Sequence, residues 1–264
     1  MNRRGHEKKF GRSDQLGRDE CLRSESLTKS FGGLEAVRDV SFHIAKGERR
    51  AILGPNGAGK TTFFNLVAGD LSPTRGKIFF LGEDITRVSC HRRAHKGIAR
   101  TFQITNLFFN LSVLENMVLA VQALEGTKYS LFRSITAYPH LYERSMELLA
   151  QVSLDGLKDE MIGNLSYGVQ RQIEVMLALT KEPNLLLLDE PTAGLSPAEA
   201  TMMVKMLKKL PPSMTMMIIE HDMDVAFELA ESITVFHFGE VVAEGDKEAV
   251  RSNQTVQEIY LGFK

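Results

Sequence analysis

An α/β fold is the expectation from this sequence: a mainly parallel sheet with flanking helices, joined to an antiparallel β-subdomain and an α-helical subdomain. Three observations lead to it. The short apolar run Arg50-Ala51-Ile52-Leu53 enters Gly54-Pro55-Asn56-Gly57-Ala58-Gly59-Lys60 and then Thr61-Thr62-Phe63-Phe64-Asn65-Leu66-Val67, which reads as strand, glycine-rich loop and helix. A second apolar run, Asn184-Leu185-Leu186-Leu187-Leu188, lacks alternation and ends in Asp189-Glu190, as a strand does when both faces of a parallel sheet are covered. From about residue 104 to residue 164 the β signals fade and the pattern turns helical.

The elements follow in order. Residues 1–24 carry Arg3, Arg4, Lys8, Lys9, Arg12, Arg18 and Arg23 together with Glu7, Asp14, Asp19 and Glu20, a composition expected of a basic, disordered tail. The tail lacks the apolar core of a secretion signal, and its acids oppose a transit peptide. The folded domain is expected over residues 25–264. Residues 26–44 read as antiparallel strands, with Val37-Arg38-Asp39-Val40-Ser41-Phe42-His43-Ile44 alternating. Lys77-Ile78-Phe79-Phe80-Leu81, after Pro73 and Gly76, is another strand of that kind. The amphipathic stretch 143–152 is expected to pack on neighbouring helices. The core resumes with the Asp189 strand, then Thr215-Met216-Met217-Ile218-Ile219, then Ile233-Thr234-Val235-Phe236-His237-Phe238.

The glycine-rich stretch fits G-x-x-x-x-G-K-[ST], the pattern of a phosphate-loop NTPase. Gly54, Gly57 and Gly59 let backbone N–H groups turn inward, and Pro55, Asn56, Ala58 and Thr62 complete the cradle. The helix N-terminus adds free N–H donors and partial positive charge, which suits a polyphosphate such as ATP. Lys60 is expected to reach the β- and γ-phosphates, and the Thr61 hydroxyl to ligate Mg²⁺. Asp189 is expected to hold Mg²⁺ through water, since this ion keeps much of its hydration shell. Glu190 then faces the γ-phosphate as general base. An Asp-Glu pair after an apolar run says little alone; beside a phosphate loop, and followed by Pro191-Thr192, it says much. His221, at the end of the next strand, is placed at the carboxyl edge of the sheet, where it can hydrogen-bond the γ-phosphate and orient the attacking water.

Composition sets bounds. With 264 residues, 43% of them hydrophobic, the chain accommodates one domain and a subdomain. A net charge of −1 opposes a nucleic-acid partner. No apolar run approaches the ~18 residues of a membrane span. The two cysteines, Cys21 and Cys90, suit a reducing compartment.

Between the two nucleotide segments stands Leu165-Ser166-Tyr167-Gly168-Val169-Gln170-Arg171. It resembles the Leu-Ser-Gly-Gly-Gln signature of the ATP-binding cassette family, and the resemblance covers nearly all of residues 25–264. In that family the signature loop binds the γ-phosphate held by a second cassette, so Ser166 and Gly168 are implied as contacts across a dimer. The sequence departs from the signature at Tyr167 and Val169. A helix is expected over residues 170–180. The resemblance also implies that Gln103 contacts Mg²⁺ and the attacking water, that Phe31 stacks on adenine, and that Ala193-Gly194-Leu195-Ser196 is a subunit-contact loop, with Ser196 where an Asp is usual. Phe108, Phe109 and Leu111 are then candidates for docking a permease, or simply for the core.

Gly97-Ile98-Ala99-Arg100-Thr101-Phe102-Gln103, Leu111-Ser112-Val113-Leu114-Glu115-Asn116, Glu220-His221-Asp222-Met223 and Ile259-Tyr260-Leu261-Gly262 are similar to the subfamily serving branched-chain amino-acid importers, whose close relatives import urea or short amides. The implied function is an ATP-hydrolysing subunit on the cytoplasmic face of the inner membrane. It would work with integral-membrane permease subunits and a second cassette, identical or different, and indirectly with a solute-binding protein. Lipopolysaccharide-export ATPases are similar but match less well around Gln103. A soluble cassette ATPase is the rival of another class. Its ribosomal form carries two cassettes and its chromosomal form a long coiled coil, and this chain has neither. A non-hydrolysing cassette is opposed by Lys60, Asp189, Glu190 and His221.

Overall fold

Alternate leucines of one strand lie in different cores. Leu186 and Leu188 belong to one buried cluster, Leu185 and Leu187 to another, which is why the run needs no polar face. The computed structural model describes residues 20–101, 107–124 and 138–261. Its main sheet has six strands. In chain order, β3 (Arg49–Leu53), β6 (Ile98–Arg100), β7 (Leu185–Asp189), β8 (Thr215–Ile219), β9 (Ser232–His237) and β10 (Glu240–Gly245) lie side by side as β10-β9-β3-β8-β7-β6. All neighbours run parallel except the edge pair β9 and β10.

A second, antiparallel sheet of four strands lies against the first. It consists of β1 (Glu20–Phe31), β2 (Leu34–Ala45), β4 (Arg75–Phe80) and β5 (Glu83–Asp84), in the order β2-β1-β4-β5. Its apolar face meets helix α1 (Lys60–Ala68) in a cluster containing Phe42, Phe63, Phe64, Ile78 and Phe236. The first strand starts at Glu20, inside the stretch expected to be tail. Cys21 and Leu22 are fully buried, and Leu22 pairs with Ile44 on one side and Phe80 on the other. Two apolar residues flanked by charges leave no periodic signal, so their burial is not readable from the sequence.

After α2 (Cys90–His95) the chain enters three longer helices, α3 (Val113–Gln122), α4 (Pro139–Gln151) and α5 (Tyr167–Leu179). These share one core with the other face of the sheet through Met117, Leu141, Leu149, Ile173 and Met176. Ser112 caps α3 in a reciprocal box with Glu115. The Asn116 amide group donates to the Phe108 carbonyl at 3.1 Å and accepts from the Phe108 N–H at 2.8 Å, which ties residues 107–111 to that helix. α5 begins at Tyr167, three residues before the start expected at 170, because Ser166 with extended backbone is its N-cap. The rest of the chain adds α6 (Pro197–Lys209), α7 (Met223–Leu229), α8 (Lys247–Ser252) and α9 (Gln254–Leu261).

Candidate nucleotide site

The parallel register places the site. Asp189 pairs with Ile219, and Leu53 with Val235, so Gly54, Glu190 and Glu220 emerge together at the carboxyl edge of the sheet, where open α/β folds bind ligands. A depression of about 420 Å³ lies there, walled by Phe31, Leu34, Ala36, the residues from Asn56 to Thr62, and Glu190. Two glycines of the loop are required by their neighbours. A Cβ on Gly54 would lie 2.2 Å from the Phe236 carbonyl oxygen, and one on Gly59 2.3 Å from that of Ala36, with φ of +148° and +100°.

Lys60 is buried, and its Nζ donates to the carbonyl oxygens of Gly54 at 2.6 Å and Pro55 at 3.0 Å. Burial lowers its pKa, while Glu190 and Asp189 nearby act in the opposite direction. Thr61 exposes its side chain at the start of α1. Phe31 closes the β1–β2 hairpin, is 48% exposed and lies under Lys29 Nζ, 5.1 Å from the ring centre.

Asp189 is 1% exposed. Its Oδ2 accepts from Arg100 Nη2 at 2.9 Å, and its Oδ1 has no hydrogen-bond partner among the described residues. A buried carboxylate oxygen left unpaired in this way fits a hydrated divalent cation as its missing partner. Glu190 has φ of +48°, a left-handed conformation that costs a residue with a Cβ about 1 kcal/mol. Its N–H donates to the Ile219 carbonyl at 3.0 Å, which holds the turn.

His221 lies two residues past the end of β8 and is not among the residues lining the depression. Its neighbour Glu220 is fully buried. The Glu220 carboxylate accepts from Thr192 Oγ1 at 2.8 Å, Thr192 N–H at 3.3 Å and His221 N–H at 3.3 Å. It thereby links the segment after Glu190 to the segment carrying His221. Burial raises its pKa against these hydrogen bonds.

Ser166 and Gly168 do not line the depression either. The Gly168 N–H, expected to face a phosphate, donates to Glu199 Oε1 at 3.1 Å. A Cβ at Gly168 would lie 2.7 Å from Glu199 Cβ, so this glycine permits a close approach of α6. Glu199 in turn forms a capping box with Ser196. That box gives a physical reason for a hydroxyl at 196: it accepts from the Glu199 N–H at 3.4 Å. Gln103 lies outside the described residues. Arg100 and Glu220 stand inside segments that carry the family resemblance, but their contacts with Asp189 and Thr192, like that of Glu199 with Gly168, join residues distant in the chain and follow no fixed spacing.

The ABC transporter family model matches residues 37–193. The chain is 36% identical over 251 residues to the probable branched-chain amino acid transport ATP-binding protein LivG of Archaeoglobus fulgidus, covering 92% of this chain and 96% of that one. It is 36% identical over 249 residues to the high-affinity branched-chain amino acid transport ATP-binding protein BraF of Pseudomonas aeruginosa, covering 91% and 97%. Among solved structures, an ATP-binding cassette of an ABC transporter in its ADP conformation superposes with a TM-score of 0.80 at 33% identity, covering 92% of this chain and 99% of that one. A dimeric cassette in a post-hydrolysis state with ADP and phosphate gives 0.68 at 27% identity, covering 85% and 98%. The chain belongs to the ABC transporter family, as a nucleotide-binding ATPase cassette with the α/β fold of that family.

Proposed function

We propose that this cassette powers a membrane importer of branched-chain amino acids or related small solutes such as urea and amides, by binding and hydrolysing ATP. The observation that carries the chemistry is the depression itself, which gathers the phosphate loop, Phe31 and Glu190 around one space. The relatives' names support the transport assignment.

In this reading Phe31 stacks on adenine, and the N–H groups from Gly54 to Thr62 bind the phosphates. Lys60 exchanges its two carbonyl partners for β- and γ-phosphate oxygens, so the free loop already holds the ammonium at the site. Thr61 and Asp189, with Gln103, would hold Mg²⁺. This ion, when bound, supplies charge neutralisation of the β- and γ-oxygens. Glu190 accepts the proton of the attacking water, and the γ-phosphoryl group leaves ADP as inorganic phosphate. His221 hydrogen-bonds the γ-phosphate from the neighbouring strand. Ser166 and Gly168 meet the phosphate of a second cassette, identical or different, once Glu199 releases the Gly168 N–H.

Among the described residues no helix is long and apolar enough to cross a membrane. A cleft of about 270 Å³ lies between α2, β6 and α5, with Ala94, Ile98, Leu177 and Ala178 among its walls. Its wall includes Arg100 and Thr101, directly before the segment carrying Gln103. This cleft is the proposed seat of a permease helix, on the cytoplasmic face of the membrane, and it supports coupling of transport to the nucleotide site. The test is purification from gently solubilised membranes of the host. Recovery of a permease pair with a second cassette and a solute-binding protein is the expected result. Recovery of ribosomes or nucleic acid instead refutes the transport reading.

A further inference from the structure

We propose that Arg100 is a positioning residue for Asp189, setting which carboxylate oxygen is offered to the cation and how far that oxygen stands from the phosphate-loop helix. The proposal rests on the reading above, in which Asp189 holds Mg²⁺.

Arg100 is the last residue of β6, and its guanidinium is largely buried. One nitrogen, Nη1, donates to Asn65 Oδ1 at 2.6 Å and Asp70 Oδ2 at 2.7 Å; the other, Nη2, donates to Asp189 Oδ2 at 2.9 Å. These acceptors come from three places. Asn65 is on α1, whose first residues are Lys60 and Thr61. Asp70 follows the end of that helix, and Asp189 ends β7. One planar fork therefore ties the helix that carries Thr61 to the strand that carries Asp189. A cation shared by Thr61 and Asp189 requires a fixed separation of these two elements, and a metal with strict octahedral demands tolerates little error in it.

The fork also decides between the two oxygens of Asp189. With Oδ2 held, Oδ1 is the oxygen left unpaired, buried and with no hydrogen-bond partner among the described residues. Without Arg100, Asp70 and Asp189 lose the guanidinium that bridges them, and the Asp189 carboxylate loses the hydrogen bond that holds Oδ2. Lysine is a poor substitute, because a point charge cannot serve three acceptors in three fixed directions. Groups that orient metal ligands in this manner typically contribute about 10–100-fold in metal affinity.

The test is equilibrium binding of trinitrophenyl-ATP to the full-length chain, in EDTA and across a Mg²⁺ series. In R100Q the Mg²⁺ concentration giving half of the metal-dependent gain in affinity is expected to rise about tenfold or more. Affinity in EDTA is expected to stay at the wild-type level, because the phosphate loop is untouched. R100K is expected to shift the midpoint in the same direction by less. A wild-type midpoint in folded R100Q overturns the proposal; should R100Q not fold, a wild-type midpoint in R100K does so. D189N separates the two levels. If D189N keeps the wild-type Mg²⁺ dependence, the assignment of Asp189 to the cation fails and the proposal with it. If D189N loses that dependence while R100Q keeps it, only the role of Arg100 fails.

Discussion

Glu199 accepts a hydrogen bond from the Gly168 N–H at 3.1 Å, joining the first turn of α6 to the first turn of α5 across the loop where a second cassette's phosphate is proposed to bind. The same carboxylate is held by the Ser196 hydroxyl and N–H and by Ser166, and these bonds lower its pKa from 4.5 to about 2.

A pH dependence follows from that shift. The folded carboxyl ionises at lower pH than the unfolded one, so its bonds stabilise the protein fully above about 4.5 and are lost as the pH falls toward about 2. E199Q should therefore unfold at lower urea concentration than the wild type at pH 7, and the gap should narrow below pH 4.5. Urea midpoints at the two pH values check this; a gap that stays constant with pH counts against it.

Glu190, the proposed general base, has φ of +48°. E190Q should bind ATP normally and lose about 10²-fold or more in turnover, the scale of a general base. E190G should be equally inactive yet more stable by up to about 1 kcal/mol, since glycine relieves the left-handed strain. Phosphate release and thermal denaturation, measured on both variants, test the two halves separately.

Phe31 offers a half-exposed ring at the rim of the depression. F31A should weaken ATP by about 1–3 kcal/mol, the usual worth of a base stacked on an aromatic ring. Binding of tripolyphosphate should be unaffected, as measured by competition calorimetry. An equal loss for both ligands would place Phe31 among structural residues.

Arg93 is a buried guanidinium whose hydrogen-bond partners among the described residues are backbone carbonyls. It donates to the carbonyls of Leu66, Val67, Ile85, Thr86 and Val88 at 2.6 to 3.2 Å, and burial brings its pKa down to about 10. Two of those carbonyls end the phosphate-loop helix. R93M should cost about 3 kcal/mol or more by leaving buried carbonyls unpaired, with urea unfolding as the measurement.

The local arrangement of the loop was legible in the sequence. A loop that cradles phosphate with consecutive backbone N–H groups must be built of adjacent residues, and the structure sets the segment from Asn56 to Thr62 around one depression. The run Leu185-Leu186-Leu187-Leu188 announced a strand covered on both faces, and its residues do divide between two cores. The first strand was legible only in part. Its opening residues Cys21 and Leu22 are buried by pairing with β2 and β4, and nothing in their charged surroundings announces it.

What the sequence determined by itself was the α/β class and the positions of the groups that act through their neighbours in the chain. The tertiary structure decided which distant polar residues meet. Sheet register brings Arg100 to Asp189 across 89 positions and Glu220 to Thr192 across 28, and helix packing brings Glu199 to Gly168 across 31. A single buried polar side chain has no periodicity and no fixed spacing. Its partner is set by the packing of elements that are formed independently, and so it becomes visible only once those elements are in place.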